Sequence, residues 1–332
     1  MVFLGWKWLR ALLWLSLLIV SASILLVTEL SEFWFLSVLI LGAVCLYNSY
    51  LEFMVTSIFI SPLKPKDSAS GDHWISHYGY HKNLKIHIQV YSTVPEQPLI
   101  IFVHGWRSTS ASVADRAQSF VEKNWNVMLL ELPGHGQSSP ILRWNAITVA
   151  EHVEYHLRNM SDYIAVSDET PVFLYGHSMG GYLCSRISSG QIRPLDFKIT
   201  GVILESPLML YSHILEEICH HLRIPGFLRS VHLKRLYRDV KMMHPEIESS
   251  DSLQQFDIPH WGLPNVPTLC LQSKNDNRLG RAHYDALVLH WGTEQPLTHH
   301  LIESLPHSGA RTNEVREQLL TDWLGNFDSL LL

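Results

Sequence analysis

A serine, a carboxylate and a histidine occupy positions in this sequence where they could form a nucleophile and its proton-transfer partners. Residues 176–180 read G-H-S-M-G, a match to G-x-S-x-G centred on Ser178. An apolar run of strand length precedes the motif, and a helix-like segment follows it. Such a strand, sharp turn and helix hold a serine hydroxyl exposed at the edge of a sheet, and the flanking glycines relieve crowding in the turn. We therefore predict that Ser178 is a nucleophile.

The partner side chains are predicted in two loops that follow later strands. Asp276 comes shortly after an apolar run at 268–271, and His307 comes shortly after the last such run at 299–302. In open α/β sheets, reacting groups collect outside the carboxyl ends of the strands, so we expect both side chains near Ser178. His307 would accept the Ser178 proton, and Asp276 would fix the imidazole tautomer. Glu205, which also ends a strand-like run, stays open as an alternative acid.

Two backbone amides are candidates for stabilising an oxyanion. Trp106 follows His104 and Gly105 at the end of another strand-like run, and a small residue there lets the next N–H face the site. We predict that the amides of Trp106 and Met179 form the oxyanion hole. His104 is predicted to fix its loop by hydrogen bonds, and the glycine-rich segment 131–138 is given a shaping role.

These loops require a parallel sheet flanked by helices, and the chain after about residue 73 has the matching pattern. Apolar runs of strand length alternate with helix-like segments, which is typical of an α/β fold with a mostly parallel sheet. The predicted strands are 84–90, 99–103, 127–130, 172–175, 200–204, 268–271 and 299–302, and the predicted helices are 114–124, 146–160 and 315–324.

A long insert at about 208–263 separates two of the strands. It is too long for a connecting loop and should have structure of its own, with amphipathic helices at 211–222 and 227–243. We predict that it forms a lid over the active site. Its segment 223–241 is basic, which is typical either of a face for anionic lipid headgroups or of an ordinary solvated helix. The basic residues are Arg223, Arg229, Lys234, Arg235, Arg238 and Lys241.

The first sixty residues hold the apolar excess of a chain that is 47% hydrophobic. Residues 11–27 and 33–51 are both uncharged, and the second run would reach about 28 Å as a helix, close to the hydrocarbon thickness of a bilayer. We predict a membrane anchor over 1–60, a linker over 61–72 and a hydrolase domain over 73–332. Two transmembrane helices are favoured over a single span or a cleaved signal.

Flanking charges predict the orientation of this anchor. Lys7 and Arg10 precede or begin the first span, Lys64 and Lys66 follow the second, and the turn between them carries only glutamates. The positive-inside rule then places the catalytic domain on the cytoplasmic side.

The composition argues against several other classes of protein. A net charge of −6 gives no basic field for nucleic acid, so we expect no nucleic-acid partner. Four cysteines in 332 residues do not make a disulfide framework. Residues 219–221 have metal-ligand types, but adjacent side chains on a helix point about 100° apart. We expect no metal and no cofactor.

Residues 73–328 resemble the α/β-hydrolase superfamily, and within it the monoacylglycerol lipase and lysophospholipase-like group often filed with serine aminopeptidases. Residues 104–106, 133–138, 176–181, 271–276 and His307 carry the resemblance. It implies an α/β-hydrolase fold with a mostly parallel central sheet, Ser178, Asp276 and His307 as triad, and the amides of Trp106 and Met179 as oxyanion donors. The chain departs from the family at Ser273 and Pro306, where glycine is usual.

The resemblance and the anchor together predict a membrane-anchored serine hydrolase that cleaves carboxylic esters through an acyl-serine intermediate. Lipid esters such as monoacylglycerols or lysophospholipids are the favoured substrates, so the expected partners are a lipid or small ester and the membrane. The oligomeric state is left open. Three alternatives also stay open: an acyltransferase or thioesterase on the same triad, an aminopeptidase, and a membrane-bound binding protein that has the hydrolase fold but no catalysis.

Overall fold

Eight strands form one sheet in the computed structural model of this protein, which describes residues 2–58, 67–141, 144–167, 169–243, 253–292 and 294–327. The strands are β1 (Ile75–His81), β2 (Leu84–Tyr91), β3 (Leu99–Val103), β4 (Asn126–Leu130), β5 (Val172–His177), β6 (Ile199–Glu205), β7 (Thr268–Ser273) and β8 (Leu297–Ile302). They lie in the order β1-β2-β4-β3-β5-β6-β7-β8. Strands β3 to β8 run parallel to one another. The β1–β2 and β2–β4 pairs are antiparallel, so the predicted, mostly parallel sheet is confirmed.

Helices alternate with the strands of this sheet, and two more precede it. They are α1 (Val2–Val27), α2 (Glu32–Ile58), α3 (Ala111–Glu122), α4 (Ala146–Arg158), α5 (Met179–Ile187), α6 (Tyr211–His221), α7 (Gly226–Met243), α8 (Ala282–His290) and α9 (Glu314–Leu324). The helices α4 and α9 begin where asparagine side chains accept a backbone N–H of the first turn, at 2.9 Å in both cases. The predicted alternation of strands and helices is therefore observed.

The central strands are buried on both faces because helices cover both sides of the sheet. Every residue of β3 and of β5 is buried. Aromatic rings fill one side of this core: Phe102 lies 4.7 Å from Tyr175 and 5.8 Å from Phe120, measured between ring centroids. The rigid sheet fixes the carboxyl ends of β3, β5, β7 and β8, where the candidate site residues begin.

Strand β1 was not predicted from the sequence. It lies at the edge of the sheet and pairs only with β2 among the described strands. Ile75, Tyr78 and Tyr80 are exposed, at 56%, 45% and 66%. An edge strand with so little buried surface lacks the apolar run by which the other strands were recognised.

The helices α1 and α2 form a hairpin in the smaller of two compact units, residues 1–61 with 215–251. The Ser49 hydroxyl on α2 donates to the Ala11 carbonyl on α1, and a Cβ on Gly42 would lie 3.6 Å from Leu18. Later positions of α1 thus lie beside earlier positions of α2, so the two helices run antiparallel. Leu9–Val27 and Glu32–Thr56 are long and apolar enough to cross a membrane, a criterion that signal sequences and core helices also meet. The larger unit, residues 62–214 with 252–332, contains the whole sheet.

Part of the predicted insert belongs to the same unit as the N-terminal hairpin. The Arg235 guanidinium on α7 donates to Glu52 at 2.8 Å and to Asn48 at 2.6 Å, both on α2. Arg238 lies 3.7 Å from the same Glu52 carboxylate, and Arg229 donates to the ring of His220. Three of the six basic residues thus have partners within this unit, which leaves fewer charges for lipid headgroups than the sequence suggested.

Several sequence predictions fall on residues that the structure does not describe. Residues 59–66 include the first half of the predicted linker, with Lys64 and Lys66, and residues 244–252 lie in the insert. The domain boundaries and the role of the insert as a lid stay predictions.

Candidate active site

Ser178 lies in the sharp turn between β5, which ends at His177, and α5, which begins at Met179. Its φ of 54° and ψ of −116° lie in a region that a residue with a Cβ rarely adopts. The Ser178 N–H donates to the Glu205 carbonyl at 3.0 Å, and its own carbonyl accepts from Gly181 at 3.0 Å. This strained turn is the geometry that the G-x-S-x-G motif predicted, with the positive end of a helix behind the serine.

Glycines make the turn possible by allowing the helix to approach the sheet. A Cβ on Gly176 would lie 2.6 Å from the Gly180 backbone, and one on Gly180 would lie 1.9 Å from the Val103 carbonyl oxygen. Gly105 in turn brings the loop after β3 against the serine, since a Cβ there would lie 3.1 Å from the Ser178 Cβ. Any side chain at Gly176 or Gly180 would push α5 away from the sheet.

The structure brings together the three side chains that the sequence selected. His307 Nε2 lies 3.1 Å from Ser178 Oγ, and His307 Nδ1 lies 2.7 Å from Asp276 Oδ2. Ser178 and His307 are 8% and 7% exposed, and the Asp276 side chain is fully buried. Because a carboxylate only accepts hydrogen bonds, the Nδ1 atom carries the imidazole proton. Nε2 is then the acceptor that faces the Ser178 hydroxyl.

Asp276 is held as a carboxylate by several donors. Its Oδ1 accepts from the backbone N–H groups of Arg278 at 2.8 Å and Leu279 at 2.9 Å, and Gln272 donates to Oδ2 at 3.1 Å. Burial alone would raise the pKa of Asp276, but the hydrogen bonds from His307 and the two amides lower it to about 2. The group is therefore ionised at neutral pH.

Glu205, the alternative acid, has other partners. Its carboxylate accepts from Arg116 Nε at 2.9 Å and Nη2 at 2.6 Å, and lies 3.5 Å from Arg316 Nη1. The Tyr175 hydroxyl also donates to it. Although burial opposes ionisation, the two guanidinium groups hold the pKa of Glu205 well below its usual range. The carboxylate that reaches His307 is that of Asp276.

Sequence reasoning did not identify Arg116 and Arg316, which lie almost fully buried on α3 and α9. An arginine on an amphipathic helix is usually solvated, so residue type gave no signal. The one available hint was a charged residue, Glu205, at the end of a buried strand, because a buried carboxylate needs a cationic partner.

The two candidate oxyanion donors belong to segments that adjoin the serine, because Met179 directly follows Ser178 and a Cβ on Gly105 would lie 3.1 Å from the Ser178 Cβ. Met179 is the first residue of α5, and Trp106 directly follows Gly105. In the part of the chain that the structure describes, neither amide donates to a protein acceptor. The Trp106 side chain packs on Trp144 and His135, with ring centroids 4.2 Å and 5.0 Å apart. The role of these two amides as oxyanion donors stays a prediction.

Buried polar side chains fix the loops around these amides. His104 donates through Nδ1 to the Gly105 carbonyl at 2.8 Å and accepts from Leu132 N–H at 3.0 Å. Glu131 accepts from His87 at 2.9 Å and from the Ser110 hydroxyl at 2.7 Å. Against the effect of burial, these bonds lower the pKa of Glu131 to about 2. His104 thus makes the loop-fixing hydrogen bonds that were predicted for it, and Glu131 belongs to the segment 131–138, for which a shaping role was predicted.

The cysteines form no disulfide in this structure. All four cysteines are buried free thiols, and burial raises the pKa of Cys270 to about 12. The described residues contain no group of three or more histidine, cysteine, aspartate or glutamate side chains with the geometry of a metal site.

The sequence matches the family described as "Serine aminopeptidase, S33" over residues 95–320, more than half of the chain. The matched range contains every candidate site residue: Trp106, Ser178, Met179, Asp276 and His307. The N-terminal helices α1 and α2 fall outside it.

Two curated relatives share part of this range. "Putative monoglyceride lipase" of Schizosaccharomyces pombe is 27% identical over 179 residues, which cover 51% of this chain and 42% of the relative. "Phospholipase YtpA" of Bacillus subtilis is 27% identical over 120 residues, which cover 33% and 40%. The chain therefore spans less than half the length of each of these relatives.

Solved structures with the same fold cover most of the chain. The Pyrococcus furiosus esterase PF2001 superposes with a TM-score of 0.55 at 12% identity, covering 81% of this chain and 97% of that one. A putative hydrolase from Agrobacterium vitis S4 gives a TM-score of 0.53 at 16% identity, covering 78% and 99%. At these identities the likeness concerns the fold alone.

Proposed function

We propose that this chain, which belongs to the serine aminopeptidase S33 family and has the α/β-hydrolase fold, is a serine hydrolase that cleaves carboxylic esters. The observation that carries the proposal is the continuous hydrogen-bonded series from Asp276 through His307 to Ser178, at 2.7 Å and 3.1 Å. A nucleophile, a base within hydrogen-bond reach and a group that orients the base are what acyl transfer requires.

Acylation uses each of these groups in turn. Ser178 Oγ attacks the ester carbonyl carbon while His307 Nε2 accepts the hydroxyl proton. Asp276 stays ionised, keeps the Nδ1–H tautomer in place and stabilises the imidazolium. The oxyanion of the tetrahedral intermediate accepts hydrogen bonds from the amides of Trp106 and Met179. When the C–O bond to the leaving group breaks, His307 returns the proton to the alkoxide, and the alcohol departs from an acyl-Ser178 enzyme.

Deacylation repeats the sequence with water in place of serine. His307 Nε2 removes a proton from the attacking water, the amides again stabilise the oxyanion, and the proton then passes to Ser178 Oγ as the acyl bond breaks. The products are a carboxylic acid and the free enzyme. Each proton that His307 takes up is therefore released again, and one water is consumed for each ester.

Lipid esters are the substrate class that we propose. The two curated relatives are described as a monoglyceride lipase and a phospholipase. A membrane anchor formed by α1 and α2 would bring the site close to such substrates. The fold itself does not favour one ester over another.

The exposed surface of α1 and α2 supports membrane insertion of residues 1–60. Leu12, Ile19, Leu36 and Leu41 are between 52% and 59% exposed, an arrangement that is costly in water and favourable in hydrocarbon. A core helix of a water-soluble protein would bury such residues. By the positive-inside rule we propose a cytoplasmic catalytic domain, with Lys7 and Arg10 at the start of the first span.

The test is turnover by the full chain in detergent micelles. The substrates are monoacylglycerols, lysophospholipids and p-nitrophenyl esters of graded acyl length, together with thioesters and amino-acid p-nitroanilides. We expect hydrolysis of esters, and Ser178→Ala should lower kcat by about 10³–10⁶-fold. Ser185→Ala removes a buried hydroxyl from the same helix and should leave turnover near wild type. Ester turnover that survives in Ser178→Ala would contradict the proposal. If only the anilides are hydrolysed, the substrates are amides and the proposal of an esterase is wrong.

A further inference from the structure

The loop that carries His307 is fastened on both sides of the histidine. This segment, residues 303–313 between β8 and α9, is called the base loop here. The Asn313 side chain donates to the Ser304 carbonyl at 3.0 Å and joins its two ends. Arg316 donates to the carbonyls of Ala310 and Arg311 at 2.9 Å and 3.1 Å. These bonds hold the second half of the base loop against α9.

At the centre of the base loop the backbone is held by the residue that precedes the nucleophile. The carbonyl of His307 lies 2.7 Å from His177 Nε2, and the two imidazole rings lie 5.3 Å apart between centroids. His177 is the last residue of β5 and pairs with Glu205 on β6, so its backbone is part of the rigid sheet. The hydrogen bond therefore ties the base loop to the centre of the sheet.

The proton on His177 can be assigned from its surroundings. A carbonyl oxygen only accepts, so Nε2 is the atom that bears the proton. Burial lowers the pKa of His177 to about 4, so the ring is neutral at pH 7 and carries a single N–H. Nδ1 faces Gly105, where a Cβ would lie 3.3 Å away. The lack of a side chain at Gly105 thus makes room for the His177 ring.

We propose that His177 is a positioning residue for the His307 base, acting through its hydrogen bond to the His307 carbonyl. The inference rests on the proposed function, because it assumes that His307 accepts the Ser178 proton. The His307 ring must meet Ser178 Oγ and Asp276 Oδ2 at the same time, so a shift of its backbone lengthens one bond or the other. A displacement of 1 Å in such a group costs about 10²-fold in rate.

Glu205 and Arg316 give the base loop a second connection to the same turn. The Glu205 carbonyl accepts the Ser178 N–H, and its carboxylate faces Arg316, which binds the Ala310 and Arg311 carbonyls. The nucleophile turn and the base loop are thus joined by two separate paths, one through His177 and one through Glu205 and Arg316. Of these two connections, only the one through His177 contacts His307 itself, at its carbonyl oxygen.

A pair of substitutions separates the hydrogen bond from the size of the side chain. His177→Gln keeps an N–H donor at a similar reach, whereas His177→Leu has similar bulk and no donor. We expect His177→Leu to lower kcat for an ester substrate by up to about 10²-fold with KM unchanged, and His177→Gln to keep most of the wild-type kcat. His152→Leu is the matched control, because His152 is equally buried, on α4, and should keep wild-type kcat.

Hydrogen exchange of the base loop gives a readout that needs no turnover. Amides of residues 303–313 should exchange faster in His177→Leu than in wild type or His177→Gln. Wild-type kcat in His177→Leu would overturn the proposal, and so would equal losses of kcat in both variants with unchanged exchange. If His177→Leu does not fold, His177→Asn, which is polar but too short to reach the carbonyl, takes its place. Turnover that persists in Ser178→Ala would defeat the proposed function and this proposal with it, whereas turnover lost in Ser178→Ala but kept at the wild-type level in His177→Leu would defeat the proposal for His177 alone.

Discussion

At the scale of single residues, the sequence around Ser178 was enough to predict the turn that holds this serine. Its motif predicted both the strained turn and its neighbours, because few residue patterns can bridge a strand and a helix so tightly. His307 and Asp276 were selected by their position after strands, and the structure brings both to Ser178. The departures at Ser273 and Pro306 do not prevent this contact. Their neighbours Asp276 and His307 lie at normal hydrogen-bond distances.

The choice between Asp276 and Glu205 could not be made from the sequence, because both end strand-like runs. What decides it is the position of two arginines that come from distant helices. Arg116 and Arg316 carry no local signature of burial, and the donor role of His177 likewise depends on a loop that follows 130 residues later. These pairings are set by tertiary structure, which a pattern along the chain does not encode.

Exchanging the two acids for amides tests the assignment of Asp276. Asp276→Asn keeps the volume but loses the charge that orients His307, so kcat should fall by about 10³–10⁴-fold with little change in the unfolding temperature. Glu205→Gln leaves two buried arginines with less compensating charge, so it should lower the unfolding temperature more than it lowers kcat. The measurements are kcat and thermal unfolding of each full-length variant. Wild-type kcat in Asp276→Asn would contradict the assignment.

At the scale of helices and strands, prediction succeeded where burial is continuous along the chain. The inner strands β3 to β7 are buried almost throughout because both of their faces are covered, and they have apolar runs. The edge strand β1 has no such run and was missed. The insert was predicted as two helices, and α6 and α7 are observed. That α7 pairs with α2 was not foreseen, because the Arg235–Glu52 contact joins residues 183 positions apart.

The Arg235–Glu52 ion pair predicts that α7 depends on α2 for its stability. The side chains are 18% and 5% exposed, so breaking the pair leaves a largely desolvated charge. Arg235→Glu and Glu52→Arg alone should each lower the unfolding temperature in micelles by about 2–8 °C, corresponding to roughly 1–2 kcal/mol. The double exchange should recover much of the loss.

An exposed ion pair in the same chain supplies the control for this experiment. Arg281, which directly precedes α8, and Asp285 on α8 are 63% and 54% exposed, and exchanging their charges should change the unfolding temperature little. If charge exchange lowers the unfolding temperature equally at the Arg235–Glu52 and Arg281–Asp285 pairs, the buried pair gives α7 no specific stabilisation. Failure of the double exchange to recover stability would point to packing, and not the ion pair, as the link.

At the scale of the whole molecule, composition predicted an apolar N-terminal part and a hydrolase part. The two compact units divide the chain differently, because residues 215–251, which are part of the insert, belong to the same unit as the N-terminal helices. A boundary predicted from composition separates consecutive segments of the chain. A compact unit can instead combine distant segments whose surfaces are buried together. The predicted hydrolase domain 73–332 would therefore lose the partner of α7 if it were produced without residues 1–60.

Labelling of the full chain with a fluorophosphonate probe tests the central claim most directly. Such a probe reacts covalently only with a serine whose hydroxyl is activated by a neighbouring base, and peptide mass spectrometry locates the adduct. We predict one adduct, on Ser178, in the wild-type protein, no adduct in Ser178→Ala, and slower labelling in Asp276→Asn. Equal labelling of wild type and Ser178→Ala, or a folded wild-type protein that does not react, would contradict the account.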